Sequence, residues 1–370
     1  MRPTVHPQPS RAPARAVPAL SKASPALAFF ASAALALTLT GCVAPHAHGG
    51  ASAAQPDPVM PAIEQGPAPG AGFIQRAVPG AGGAVLQTLQ RAERTAPLRY
   101  RVIVIPGSGC AGMGPIAERY FAGLLHAQVL VLHKPGVDPA ARTAPADCPH
   151  SFVALDRHSA WLAHARAALS ADASERQGQP AVSQLLVGIS EGAELLPALA
   201  PEVPHLAGLV LIGASGLDPQ EAGALQARRL GVQGDWAALG QIVAGAPHDS
   251  VVVQGRSLRY WRDLWNWPLT LSLLQGPWPL LQVWGSDDAL VPAVAYTRFA
   301  ELAALRTAPY CARRIDGADH GLQRTAAGMD GVQQVWAWTE QWARQPAAGL
   351  CAPLRLLQEQ QQVPSAAGTS

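Results

Sequence analysis

From about residue 73 to residue 344 the chain alternates between short apolar runs and longer segments of helical spacing. Arg99 to Ile105 (RYRVIVI), Val129 to His133, the SQLLVGI run over 183–189, Leu206 to Gly213 (LAGLVLIG), Leu280 to Trp284 and Pro309 to Ile315 have strand length and apolar character. Phe73 to Val78 and Ala84 to Leu89 read as edge strands. Between the strands, Met113 to Ala127, Phe152 to Ala173, Glu191 to Ala200, Ala293 to Ala304 and Gly331 to Arg344 read as helices. Strand and helix in regular alternation predict an α/β fold around a mostly parallel sheet. One interval breaks the rule. Leu217 to Gln275 is too long for a simple crossover and holds helical stretches with Tyr260, Trp261, Trp265 and Trp267. An insertion at the C-terminal edge of a parallel sheet is the natural place for a helical lid.

The ends of the chain differ from its middle. Residues 1–24 are basic and Pro-rich, and Ala26 to Thr40 is an uncharged apolar run. That run is short for a membrane span and suits the core of a signal peptide. It ends in Leu39-Thr40-Gly41-Cys42, which resembles a bacterial lipobox. The resemblance implies a signal peptide over 1–41, cleavage before Cys42, and lipid on that cysteine. Residues 42–72 are small, Pro/Gly-rich and aperiodic, as a tether would be. His46 and His48 have no Cys or carboxylate nearby and read as part of it. The globular part spans 73–352, with the lid over 217–275, and 353–370 reads as a flexible tail.

Composition narrows the class. With 49% hydrophobic and 14% charged residues the chain is globular in type. The formal net charge of +2 owes much to Arg2, Arg11, Arg15 and Lys22 in the leader, so the remainder is slightly acidic. No basic patch argues for nucleic acid, and no phosphate loop of the G-x-x-x-x-G-K-[ST] type occurs. No metal-ligand spacing stands out among the histidines, and His126, His133, His150 and His158 read as structural. No cofactor is implied.

The chemistry gathers at three loops. Gly188-Ile189-Ser190-Glu191-Gly192 is a G-x-S-x-G pentapeptide between a strand and a helix, the context of a nucleophile elbow. Gly285 to Pro292 (GSDDALVP) follows one strand, and Asp316 to Leu322 (DGADHGL) follows the last. Ser then acid then His, each after a strand, resembles the α/β-hydrolase superfamily over roughly Tyr100 to Arg344. Hints of its dienelactone-hydrolase-like and serine-peptidase-like branches are present, with no motif that decides between them. The resemblance implies Ser190 as nucleophile, His320 as base and Asp288 as the acid, chosen over Asp287 by the pattern G-x-x-D-x-x-V-P. Asp287, Asp316 and Asp319 read as turn formers. Oxyanion donors would be the N–H groups of Glu191 and of Ser108 in the Pro106-Gly107-Ser108-Gly109 loop, with Gly109 as the alternative. The Glu191 carboxylate would do no more than favour the helix N-terminus. Trp261 and Trp265 are candidate substrate-binding residues or lid core.

The function implied is a serine hydrolase that cleaves a carboxylic ester or related acyl bond, held at the bacterial cell envelope by a lipid anchor and facing the periplasm or exported. Peptidase and thioesterase are the alternatives within the fold. A non-catalytic envelope binding protein is the alternative outside it. Its partners would be a small acyl substrate and a membrane. Export would put Cys110, Cys148, Cys311 and Cys351 in an oxidising compartment. The family fold sets the loops of Cys110 and Cys148 at one sheet edge and Cys311 with Cys351 at the other, which implies those two disulfides.

Overall fold

The computed structural model describes residues 72–245, 248–324 and 331–352. The signal-peptide reading of 1–41, the anchor Cys42, nearly all of the 42–72 tether and the 353–370 tail lie outside the described residues.

Among the described residues, eight strands form one sheet: β1 (Ile74–Pro79), β2 (Val85–Arg91), β3 (Tyr100–Ile105), β4 (Ala127–Leu132), β5 (Ser183–Ile189), β6 (Leu206–Ile212) and, after a short β7 (Val252–Val253) and β8 (Arg256–Ser257) pair, β9 (Leu280–Gly285) and β10 (Tyr310–Ile315). Their order is β1-β2-β4-β3-β5-β6-β9-β10. β1 and β2 run antiparallel at one edge, and the rest is parallel. Every residue of β3 and β9 is buried. A parallel sheet needs cover on both faces, and side chains alternate between two cores accordingly. Ile103, Ile105, Leu186, Leu209 and Leu211 enter one core, and Val102, Val104, Leu185, Val187, Val210 and Ile212 the other.

The covering helices are α1 (Gly114–Tyr120), α2 (His150–Leu155), α3 (His158–Glu175), α4 (Leu196–Leu199), then α5 (Pro219–Leu230), α6 (Gln233–Ala244), α7 (Leu258–Trp265) and α8 (Thr270–Gln275) in the 217–275 insertion, and finally α9 (Ala293–Ala303) and α10 (Gly331–Arg344). Three of them differ from the sequence reading, each through contacts with distant residues. The helix expected to reach Ala127 stops at Tyr120. The N–H of Gly123 donates instead to Gln333 Oε1, and those of Leu125 and His126 to Glu340 Oε1, all on α10. The helix expected over 152–173 is two helices. Asp156 and Arg157 between them are extended, and the Asp156 carboxylate takes a buried lysine and a buried arginine. After Ser190 the chain makes a tight 3-10 turn over Ser190–Leu195 before the four residues of α4. Pro197 lacks an N–H to continue one helical ladder across this stretch.

Disulfides join Cys110 to Cys148 and Cys311 to Cys351, the pairs that the family fold implies. The first ties the loop after β3 to the loop after β4. The second ties β10 to the chain beyond α10. Bonds of this kind belong to proteins that fold in an oxidising compartment. Among the described residues, no helix is long and apolar enough to cross a membrane.

Candidate active site

Ser190 stands where β5 ends, at φ +51°. That left-handed backbone is strained for a residue with a side chain, and the packing around it holds the strain in place. A Cβ on Gly192 would lie 2.2 Å from the carbonyl oxygens of Ile105 and Pro106, and one on Gly188 would lie 2.3 Å from the Ala193 Cα. Only glycines let the turn sit this close to β3. The loop after β3 in turn runs against the elbow, where a Cβ on Gly107 would be in ordinary contact with the Ile189 oxygen at 3.4 Å and the Ser190 Cβ at 3.5 Å.

His320 follows β10 and Asp288 follows β9, parallel strands on the β6 side of β5, so both loops emerge at the same end of the sheet as the elbow. Ser190 Oγ lies 3.0 Å from His320 Nε2, and His320 Nδ1 lies 2.9 Å from Asp288 Oδ2. Asp288 is saturated with donors. Its Oδ1 accepts the N–H groups of Leu290 at 2.8 Å and Val291 at 2.9 Å, and its Oδ2 also accepts the Tyr296 hydroxyl at 2.8 Å. Burial alone would raise its pKa, but the His320 hydrogen bond and charge and the two backbone donors together hold it below the usual Asp value. Asp288 is therefore an ionised carboxylate aimed at Nδ1, which leaves Nε2 to accept from Ser190. Asp287 is exposed and accepts the Ser286 hydroxyl at 2.9 Å. Asp316 meets Arg314, and Asp319 Oδ1 accepts the Gln323 N–H, both as turn residues.

These side chains open into a cavity roofed by α5, α6 and α7. Ser108, Ser190, Glu191 and His320 line its floor, and Ala222, Gln226, Trp236, Tyr260, Trp261 and Leu264 come from the insertion. Trp261 is thus a wall residue, with its indole N–H donating to the Val253 carbonyl at 2.8 Å. Trp265 is not. It stacks on Trp236 at 4.6 Å and faces a separate groove on the outer side of the insertion. Of the two tryptophans expected at the substrate, Trp261 lines this cavity and Trp265 does not, because a wall position depends on which faces of α6 and α7 turn toward it. Trp236, from α6, takes the place assigned to Trp265. Tyr296 was missed as well. It sits one turn into α9, stacked on Trp284 at 4.9 Å, and nothing local separates it from an ordinary core aromatic.

Glu191 does more than favour a helix terminus. Its Oε1 accepts the Lys134 ammonium at 2.7 Å, and Lys134 also donates to Asp156 Oδ1 at 3.0 Å. Asp156 accepts from Arg256 on β8 through its other oxygen. Burial by itself would raise Glu191, but Lys134, His158 and Arg256 outweigh burial and hold it down to about 2. Lys134 is one of only two lysines in the chain. It ties the residue after Ser190 to the break between α2 and α3, and through Asp156 to the insertion. Nearby, His158 Nε2 lies 2.5 Å from Glu194 Oε2. Among the described residues no group of three or more His, Cys, Asp or Glu side chains is placed to hold a metal ion.

No protein-family model matches the chain, and no curated protein sequence matches it. Solved structures do. Est1E from Butyrivibrio proteoclasticus is similar at 13% identity, with 74% of this chain and 99% of that one covered and a TM-score of 0.46. The esterase domain from a Rhodothermus marinus protein is similar at 16% identity, covering 74% and 98% with a TM-score of 0.45. A lipase in an open form is similar at 15% identity, covering 74% and 99% with a TM-score of 0.49. The strand order, the antiparallel second strand and the elbow after β5 define the architecture here. The chain has the α/β-hydrolase fold. The segment between β6 and β9 supplies the α5, α6 and α7 residues that line the cavity over Ser190.

Proposed function

We propose that this α/β-hydrolase-fold protein is a serine hydrolase that cleaves carboxylic esters of small acids through an acyl-enzyme intermediate. The observation that carries the reading is the continuous hydrogen-bond line Ser190–His320–Asp288, at 3.0 and 2.9 Å, starting from a serine on strained backbone. Ser190 Oγ attacks the acyl carbon and passes its proton to His320 Nε2. Asp288 keeps the tautomer and stabilises the imidazolium. The N–H groups of Glu191 and Ser108 receive the oxyanion. The imidazolium protonates the departing alcohol, and water then takes the place of that alcohol in the reverse sequence.

The shape of the cavity favours an ester over a polypeptide. The space over Ser190 is about 130 Å³ and is covered by the cap helices, so it suits a short acyl or aryl group better than an extended chain. A fluorophosphonate probe is the direct test. Covalent labelling mapped to Ser190, lost in Ser190→Ala and reduced in His320→Ala, is the expected result. A folded protein that stays unlabelled at Ser190 would refute the reading.

Lipid attachment at Cys42 is part of the same proposal. The disulfides agree with export, and the lipobox-like LTGC would supply the anchor. Cys42→Ala should release the protein from membranes or block its maturation. Unchanged membrane partition together with unchanged mobility would rule the anchor out.

A further inference from the structure

Most of the cavity wall is apolar, contributed by residues such as Leu217, Ala222, Trp236, Trp261 and Val291. Among its polar side chains, two outside the Ser190–His320–Asp288 line stand against His158. Tyr260, on α7, is 3% exposed and lines the cavity. Its backbone N–H donates to Ser257 Oγ, and its ring meets His158, Trp261 and the Arg256 guanidinium. Its hydroxyl has no hydrogen-bond partner among the described residues. Burial, then Glu191, push its pKa well above the ordinary phenol value, so the group is a neutral O–H donor. Glu194, in the turn after Ser190, also lines the cavity. It commits Oε2 to His158, while Oε1 has no partner among the described residues. The two side chains are neighbours through one ring: His158 lies 2.5 Å from Glu194 Oε2 and its ring is 6.0 Å from that of Tyr260. A donor and an acceptor, both packed around His158, therefore stand unused in one mostly apolar cavity.

The charges behind this pair decide what they can recognise. Lys134 and Arg256 face Asp156 and Glu191, two cations against two anions. Burial raises the Glu194 carboxyl, while Glu194 raises His158 against the effect of burial. One proton between them leaves that pair without net charge. An ammonium or carboxylate on a ligand would find no unbalanced partner here, and burying it would cost several kcal/mol, on the order of that for any unpaired ion. A purely apolar ligand would strip water from Tyr260 and Glu194 and leave both unpaired. A hydroxyl suits both, since it accepts and donates at one oxygen.

We infer that Tyr260 and Glu194 form a specificity subsite for a neutral hydroxyl group on the substrate, the phenol donating to the hydroxyl oxygen and Glu194 Oε1 accepting its proton. The inference rests on the cavity over Ser190 being the substrate cavity, as the hydrolase reading has it. Hydroxy-acyl esters, or esters of diols, are the substrate class that follows. A site built to bond a hydroxyl discriminates strongly against analogues without one.

The test is equilibrium binding to the Ser190→Ala protein, which needs no turnover. Two ester pairs serve as probes: methyl 6-hydroxyhexanoate with methyl hexanoate, and 3-hydroxypropyl acetate with propyl acetate. In at least one pair the hydroxylated member should bind about tenfold more tightly. Adding Tyr260→Phe, which removes only the hydroxyl, should bring that ratio close to one. Methyl 6-aminohexanoate should bind no better than methyl hexanoate. Equal binding within both pairs, a ratio that survives Tyr260→Phe, preference for the ammonium ester, or no binding by any ester would overturn the subsite. Turnover of the same esters by the unmodified protein is read separately. If it cleaves none of them while the binding ratio holds, the hydrolase reading falls and the subsite stands.

Discussion

Tyr296 donates its hydroxyl to the same Asp288 oxygen that holds His320, at 2.8 Å against 2.9 Å. The carboxylate is thus fixed from the α9 side as well as from its own loop. Its direction toward the imidazole is set by a residue that does not itself touch the ring.

This relationship gives the first prediction. Asp288→Asn should lower kcat by about four orders of magnitude, as when a triad acid can no longer hold the imidazole tautomer. Tyr296→Phe should lower it by about tenfold with little change in KM, since one hydrogen bond to a charged group is lost. Asp287→Asn should stay within about twofold, as an exposed surface change. Steady-state kinetics on a chromogenic ester rank the three. If Asp287→Asn is the severe variant, the acid is misassigned.

The elbow glycines should be intolerant of even one methyl group. Gly192→Ala places a carbon 2.2 Å from two backbone oxygens that cannot move without displacing β3. A loss of at least about 3 kcal/mol is expected, at the upper end for overpacking. Gly234, near the start of α6, has nothing within 4 Å of its added carbon. Gly234→Ala should therefore be neutral or stabilise by up to about 1 kcal/mol. Urea denaturation of both variants checks the contrast, and equal stabilities would contradict the geometry.

Lys134 should be costly to remove. It stands between Asp156 at 3.0 Å and Glu191 at 2.7 Å, with all three side chains buried. Lys134→Met leaves the Glu191 charge without its nearest partner, and about 3–5 kcal/mol is the usual loss when a buried pair is broken from one side. Adding Glu191→Gln to Lys134→Met should recover part of that loss, because the orphaned charge is gone. Additive losses in the double-mutant cycle would mean that the pair is not coupled.

His133 supplies a pH signature. Its Nε2 accepts the Met113 N–H at 3.0 Å, and its Nδ1 faces the Gln87 carbonyl at 3.2 Å, so the folded protein holds a neutral ring. Burial lowers its pKa from 6.5 to about 4. Because the folded value lies below the unfolded one, the unfolded chain binds the extra proton in this window. The contribution is fully present above pH 6.5 and is lost as pH falls through about 4. It should amount to about 3 kcal/mol. His133→Asn keeps a donor for Gln87 but cannot titrate. Its deficit against wild type should be largest at neutral pH and shrink toward pH 4. A deficit constant over that range would show that His133 is not buried neutral.

Much of the architecture was legible because its signals are local. An apolar run bounded by Gly or Pro declares a strand whatever surrounds it, and G-x-S-x-G with its tight sterics marks a turn that few other sequences can make. The chain order of Ser190, Asp288 and His320 could likewise be read along the sequence, as could the cysteine pairs once the resemblance had set the strand order. What the tertiary structure alone decided involves residues far apart in the chain. The helix at 152–173 breaks because Asp156 meets Lys134 from β4's end and Arg256 from the cap. Trp236 rather than Trp265 faces Ser190 because of how α6 and α7 pack, and helical periodicity does not say which face meets the sheet. A charged residue is read as solvated by default, since burying it alone is costly. Lys134, Asp156, Glu191 and Arg256 escape that rule only by neutralising one another inside the fold, a condition that no single segment of the sequence contains.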